Sequence, residues 1–273
     1  MQNNFKNLFG CSQGRLVNSY NGELQCFPNK CWIEEFRLAN KCGLDFIEFL
    51  LDEKHNKDNP IWQKEGIAKI VLNLEKYNLN PYSACFSFII KNSIFDKNKN
   101  DINIKYVIEA INEFKKIGLK LIILPLLEQS DFLLFDPLLV KKVLNTILDE
   151  CKKYNIKLAL ESQAESNLVL DIINSINNPN LGYVYDTGNR AAIHNPEFEI
   201  KEFDKLIFHV HLKDILDKKN VVIGKGIVDF KKVLSALKSV NYKGKYNFET
   251  NRGINPFETM NNNIKFIRNY LFN

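Results

Sequence analysis

Eight times along its length the chain follows a short, unbroken apolar run with a longer amphipathic stretch, and this rhythm constrains the fold more than any other feature. The runs are Asn7–Cys11, Asp45–Leu51, Asn80–Phe88, Lys120–Leu126, Lys157–Glu161, Leu181–Asp186, Leu206–Leu212 and Lys245–Glu249. Helical spacing fills the intervals near 32–42, 60–77, 102–117, 136–154, 165–176, 228–240 and 256–271, while 191–203 has room for a short helix only. Runs that are apolar throughout, rather than at alternate positions, predict parallel strands buried on both faces. Gly43, Gly118 and Gly244 fall where a helix must stop before the next strand, as C-terminal caps do. A doubly wound sheet would carry a glycine-rich phosphate loop after its first strand, and neither GxGxxG nor a GxxxxGK motif occurs. The lone Gly224-Lys225-Gly226 does not make one. Eight βα units in 273 residues, without a linker or low-complexity tract, predict an α/β protein: a single (β/α)8 TIM barrel, with residues 1–273 as one domain.

Composition narrows the function. The 37 Lys and Arg against 32 Asp and Glu leave a net charge of +5, and a pI of about 8.7 falls short of a dedicated nucleic-acid binder. The densest basic stretch, Lys213–Lys225, interleaves Asp214 and Asp217 and predicts a solvated loop. Six cysteines without a CxxC pair, and an N-terminus without a secretory signal, predict a cytoplasmic protein without disulfides. Apolar runs such as Leu121–Leu127 are far short of the roughly 18 residues that cross a bilayer. The expected partner is a small molecule, with neither nucleic acid nor membrane; a homo-oligomer suits the fold, but nothing in the sequence specifies its order.

In a barrel of this kind chemistry collects at the C-terminal ends of the strands. Strand two ends at Glu48, strand four at Glu128, strand five at Glu161, strand six at Asp186, strand seven carries His209 and His211, and strand eight ends at Glu249. Glu161, Asp186, His211 and Glu249 come from four successive strands, so they are expected to converge. Carboxylates crowded into an apolar mouth repel one another unless a cation sits among them. Hard oxygens with one imidazole suit Mn²⁺, Co²⁺ or Mg²⁺, with Zn²⁺ less natural. His211 lies about 6.6 Å nearer the mouth than His209, so His211 is the expected ligand and His209 a deeper, hydrogen-bonded residue. Arg15, with its planar fork, is a candidate for an anionic substituent. Glu48, Glu128, His209 and Lys213 complete the candidate substrate contacts, with a first-strand partner open for Glu48 and Asp214 for Lys213. Phe27, Trp32, Phe86 and Phe88 are candidates to line the pocket, and His194 to close over it.

The order Leu-Ala-Leu-Glu161, Tyr-Asp186-Thr-Gly-Asn189, His209-Val-His211-Leu-Lys213-Asp214, Gly224-x-Gly226-x-x-Asp229-Phe230 and Phe248-Glu249 resembles the xylose-isomerase-like TIM barrels of the sugar phosphate isomerase/epimerase family. Gln13-Gly14-Arg15-Leu16, Gln25-Cys-Phe27-Pro28, Trp32 and Ile47-Glu48 strengthen the likeness. The resemblance implies that Glu161 and Glu249 are both metal ligands and the acid/base pair, with Asp186 and His211 completing the metal shell. It further implies proton transfer next to a sugar carbonyl through a metal-stabilised enediolate. Asn189 stands where related ketose 3-epimerases often have a histidine, which separates this chain's substrate contacts from theirs. Two alternatives remain open: a metal-dependent dehydratase of a polyol or keto-sugar, and a non-catalytic carbohydrate-binding barrel. The apurinic endonucleases of the same superfamily assemble their zinc cluster from many histidines, whereas this chain has four.

Overall fold

In the computed structural model, which describes residues 8–19, 22–191 and 195–272, the chain runs β1 (Phe9–Ser12), α1 (Trp32–Cys42), β2 (Phe46–Leu50), α2 (Lys64–Lys76), β3 (Ser83–Cys85), α3 (Asn100–Phe114), β4 (Leu121–Pro125) and α4 (Pro137–Lys153). It continues with β5 (Lys157–Glu161), α5 (Ser166–Ile176), β6 (Leu181–Asp186), α6 (Pro196–Phe203), β7 (Ile207–Leu212), β8 (Asp214–Leu216), β9 (Lys219–Val221), α7 (Phe230–Ser239), β10 (Lys245–Phe248) and α8 (Pro256–Phe272). Eight strands close a parallel barrel in the order β1-β10-β7-β6-β5-β4-β3-β2, and β8 and β9 form a separate antiparallel hairpin. Among the described residues no helix is long and apolar enough to cross a membrane, and all six cysteines are free thiols.

Local chemistry explains the boundaries. Asp136 starts α4 by accepting the Leu138 and Leu139 amides at 2.9 and 3.0 Å, with Pro137 at the first helical position. Asp229 caps α7 through the Lys232 amide at 3.0 Å. Gly43 ends α1 at φ 69°, a left-handed conformation that costs glycine little, with its N–H returned to Ala39 and Asn40. Gly118 does the same after α3 and the 3-10 turn that extends it.

Four expectations need correction. Gly244 does not cap α7: the left-handed residue there is Asn241, and Gly244 instead makes room for the Tyr242 ring. The third strand is short because Pro81 has no N–H to give a ladder and Phe86 leads into a 3-10 turn. The fourth ends at Pro125, and the apolar Leu126-Leu127 that follow carry the chain into another turn. The basic stretch 213–225 is no plain loop. Its Asp217-Lys218 pair, both at positive φ, turns the β8–β9 hairpin.

By their contacts the residues fall into two compact units, whose boundaries run through β2 and β6. One lies within Met1–Glu48, Asn73–Asn80 and Tyr185–Asn273. Its core stacks Phe9 at 6.0 Å from Tyr246 and 5.7 Å from Phe248. The other comprises Phe49–Leu72 and Pro81–Val184. There Phe114 meets Phe49 at 5.9 Å and Phe86 at 5.7 Å, and Phe88 stands edge-on to Tyr106 at 4.6 Å. Each such ring contributes about 1.5–3 kcal/mol by leaving water. Phe86 and Phe88 are therefore core residues of this unit rather than a pocket lining.

Candidate metal and catalytic site

β7 reads Ile-Phe-His209-Val-His211-Leu, and the two-residue period of a strand sends both imidazoles to one face. Both are fully buried, with ring centroids 5.3 Å apart and planes nearly perpendicular. On β10, Asn247 lies in register with His211. On β2, Glu48 lies in register with Ser12 of β1. These strands surround a buried carboxylate: Glu48 Oε2 is 3.1 Å from His209 Nε2 and Oε1 is 3.0 Å from His211 Nε2. Asn247 Nδ2 donates to Glu48 Oε1 at 2.9 Å and to Ser12 Oγ at 2.8 Å.

The other side of His211 faces two more carboxylates. Its Nδ1 is 2.8 Å from Glu249 Oε2 and 4.0 Å from Asp186 Oδ2. Asp186 ends β6 in an Asp-Thr-Gly-Asn turn, where Oδ1 accepts the Gly188 and Asn189 amides at 2.8 and 2.9 Å. That leaves Oδ2 directed at the site. Lys213, two residues beyond His211, brings Nζ to 3.2 Å from Asp186 Oδ2, 3.2 Å from Asn189 Oδ1 and 3.7 Å from Glu249 Oε1. Thr187 Oγ1 donates to the Lys213 carbonyl at 2.6 Å and accepts its N–H at 2.9 Å. The Lys213 stem crosses Gly188, where a Cβ would come within 2.6 Å of Cγ. Glu249 and Lys213 are 13% and 16% exposed, so they are open to a ligand in a way that the buried Asp186 and His211 are not.

Electrostatics follow from this geometry. Burial pushes the His211 imidazole down, but Glu48 and Glu249 at its two nitrogens outweigh that and hold its pKa well above 6.5. Burial pushes Glu249 up, yet Lys213, His211 and Arg15 hold it at about 2. Glu48 is also buried, and His211 and His209 keep it below the usual carboxylate range. Asp186, His211 and Glu249 each offer a ligand atom within 4.8 Å of the others. Two carboxylates and an imidazole at one point form a donor set that a divalent cation satisfies.

The remaining predicted residues are placed as follows. Glu161 closes β5 in the other unit; it is buried, opposite Pro125 in the ladder, and its carbonyl accepts the Leu126 amide at 2.8 Å. Asn189 is half-buried on the Asp186 turn. Glu48 and His209, predicted as substrate contacts, lie one layer deeper and hold one another and His211. For Glu48 the first-strand partner is Ser12, whose hydroxyl lies 3.5 Å from Oε1. Lys213 pairs with Asp186 and Glu249 and not with Asp214, whose carboxylate accepts the Gly224, Gly226 and Val228 amides. Glu128 is exposed at the start of a 3-10 turn, three residues past β4. Arg15 is buried and spends both arms on neutral oxygens, the Leu24 carbonyl and Gln25 Oε1. Phe27 is buried, and Trp32 packs edge-on against Phe36 at 6.0 Å. His194 lies outside the described residues. Sequence reasoning missed Ser12, Asn247 and Thr187; Asn247 carries a signal, being two residues before Glu249 on β10.

A closed parallel barrel with carboxylates and an imidazole gathered at the C-terminal strand ends defines a class of TIM-barrel proteins. The family model described as xylose isomerase-like TIM barrel matches residues 36–270, and the chain belongs to this family. It is 25% identical over 244 residues to L-ribulose-5-phosphate 3-epimerase UlaE of Escherichia coli (strain SMS-3-5 / SECEC), covering 81% of this chain and 82% of that protein. Among solved structures, D-allulose 3-epimerase from Methylomonas sp. in complex with D-allulose superposes with a TM-score of 0.78 at 16% identity, covering 96% of each chain. IolI protein with a binding zinc atom superposes with a TM-score of 0.75 at 19% identity, covering 97% of this chain and 98% of that one. At these identities the structural likeness is one of fold.

Proposed function

We propose that this chain is a metal-dependent sugar epimerase or isomerase that moves a proton next to a carbonyl. The observation that carries this reading is the convergence of Asp186, His211 and Glu249 within 4.8 Å. The family and the epimerase activities of its relatives support it. Asp186, His211 and Glu249 would hold the ion. Glu161 would be the fourth ligand, the role that the family resemblance implies for it. A bound divalent cation supplies Lewis-acid polarisation of the carbonyl and neighbouring hydroxyl oxygens; Mn²⁺, Co²⁺ and Mg²⁺ suit the oxygen-rich set, and the imidazole admits Zn²⁺.

The chain's own groups do the rest. Glu249, partly open and ionised, takes or returns the proton on one face of the sugar carbon, and Glu161 serves the opposite face. Return to the opposite face of the same carbon gives an epimer, and return to the neighbouring carbon an isomer. Lys213 and Asn189, locked together over Gly188, orient substrate oxygens beside Glu249. Ketoses and their phosphates are the substrate class that the relatives' names suggest.

The test is incubation of metal-reconstituted protein with L-ribulose 5-phosphate, D-allulose and related ketoses in deuterated water, followed by NMR and mass spectrometry. A new epimer carrying one solvent deuterium supports the reading. Loss of water from the substrate would point to a dehydratase, and unchanged sugars throughout would favour a binding protein.

A further inference from the structure

Glu48 is a buried carboxylate with partners on both oxygens, and the reaction as described does not use it. Its Oε1 lies 3.0 Å from His211 Nε2 and accepts Asn247 Nδ2 at 2.9 Å, while Oε2 lies 3.1 Å from His209 Nε2. All four side chains are at most 1% exposed, so no bulk water competes for these contacts. An ionised carboxylate accepts but does not donate, so each histidine must present N–H to it. For His211 this assigns the hydrogen to Nε2. Its Nδ1 faces the ionised Glu249 at 2.8 Å and by the same rule carries a hydrogen there; a divalent ion would displace that hydrogen, while Glu48 keeps the one on Nε2, so Nδ1 is the nitrogen that coordinates.

We propose that Glu48 is a positioning residue for the metal centre: it holds the Nε2 hydrogen of His211 so that Nδ1 faces the ion, and His209 behind it keeps the carboxylate from rotating away. The inference rests on the metal-dependent reading above. The geometry also grades the variants. In Glu48→Gln, the Asn247 amide donates to the Oε1 position and so selects the carbonyl oxygen there. His211 keeps a neutral acceptor and the new amide turns to His209. Glu48→Ala removes the acceptor altogether, and His209→Ala removes only the outer support.

The experiment is titration of metal-stripped protein with Co²⁺, followed by calorimetry and by the visible spectrum of the bound ion, with circular dichroism on each variant. Loss of a partner that orients a ligand costs roughly 10–100-fold in metal affinity. Glu48→Ala is therefore expected near the top of that range with an altered Co²⁺ spectrum, Glu48→Gln between it and the wild type, and His209→Ala near the bottom. Should Glu48→Ala fail to fold, Glu48→Gln and His209→Ala carry the test. Wild-type Co²⁺ affinity and spectrum in Glu48→Gln and His209→Ala, with a raised KM for sugar in Glu48→Gln, would make Glu48 a substrate contact and overturn the inference alone. A wild-type protein that takes up no Co²⁺ would overturn the metal-dependent reading and this inference with it.

Discussion

At the scale of single residues, the site sorts by exposure. Glu249 is partly open and ionised, whereas His211 and Asp186 are sealed. General acid–base groups contribute about 10²–10⁴-fold to rate, so Glu249→Gln is expected to lower kcat by that much at saturating metal; near-wild-type turnover would remove Glu249 from the acid/base role. His211→Ala should lose metal far more completely than His209→Ala, as read by elemental analysis, since His209 Nε2 faces Glu48 and not the ligand cluster. What was legible in the sequence follows the same division. His211, Asp186 and Glu249 could be read because each lies within one residue of the C-terminal end of a strand. The work of Glu48 could not be read, because its partner His209 is 161 residues away and only strand register brings them together. Glu128 was misplaced because Leu126-Leu127 extends an apolar run past the real end of β4.

At the scale of elements, short turns after strands aim the chemistry. The turn after β6 uses one Asp186 oxygen for two backbone amides and leaves the other for the site. Gly188 in the same turn is a packing choice: it lets the Lys213 stem pass. A Gly188→Ala methyl would stand 2.6 Å from Lys213 Cγ, so Nζ must move. Misplacing a substrate-orienting group by about 1 Å can cost on the order of a hundredfold, and we expect kcat/KM to fall by ten- to a hundredfold while metal affinity holds. Unchanged kinetics would free Lys213 from the substrate. The β8–β9 hairpin was not visible in the sequence, because its strands are three residues each and its charged Asp217-Lys218 turn looks like solvated loop.

At the scale of the whole molecule, the eightfold rhythm gave the barrel directly, since only strands buried on both faces read as continuous apolar runs. Stability carries one charge that the sequence did not reveal. Glu35 on α1 is fully buried; desolvation pushes it up to about 7, against the pull of the Gly14 and Leu16 amides that it accepts. Its folded pKa is thus above its unfolded value of 4.5. The native state binds the extra proton between these values, so stability falls as pH rises from about 4.5 to about 7 and then levels. Glu35→Gln keeps an acceptor oxygen and removes the charge. Unfolding free energies from denaturant titrations should then lose a pH-dependent fall on the order of 1–3 kcal/mol across that window, and an unchanged fall would place the titration elsewhere.

The most direct test of the metal-dependent account is the number of divalent ions held per chain, measured by elemental analysis after reconstitution, in the wild type, Asp186→Asn and Glu161→Gln. Asp186→Asn retains an oxygen for the Gly188 and Asn189 amides, so the turn survives while the ligand oxygen at the site is lost. The account predicts about one ion per wild-type chain and a loss of most of it in both variants, with folding intact. A wild-type chain that binds none, or variants that retain the full complement, would contradict it.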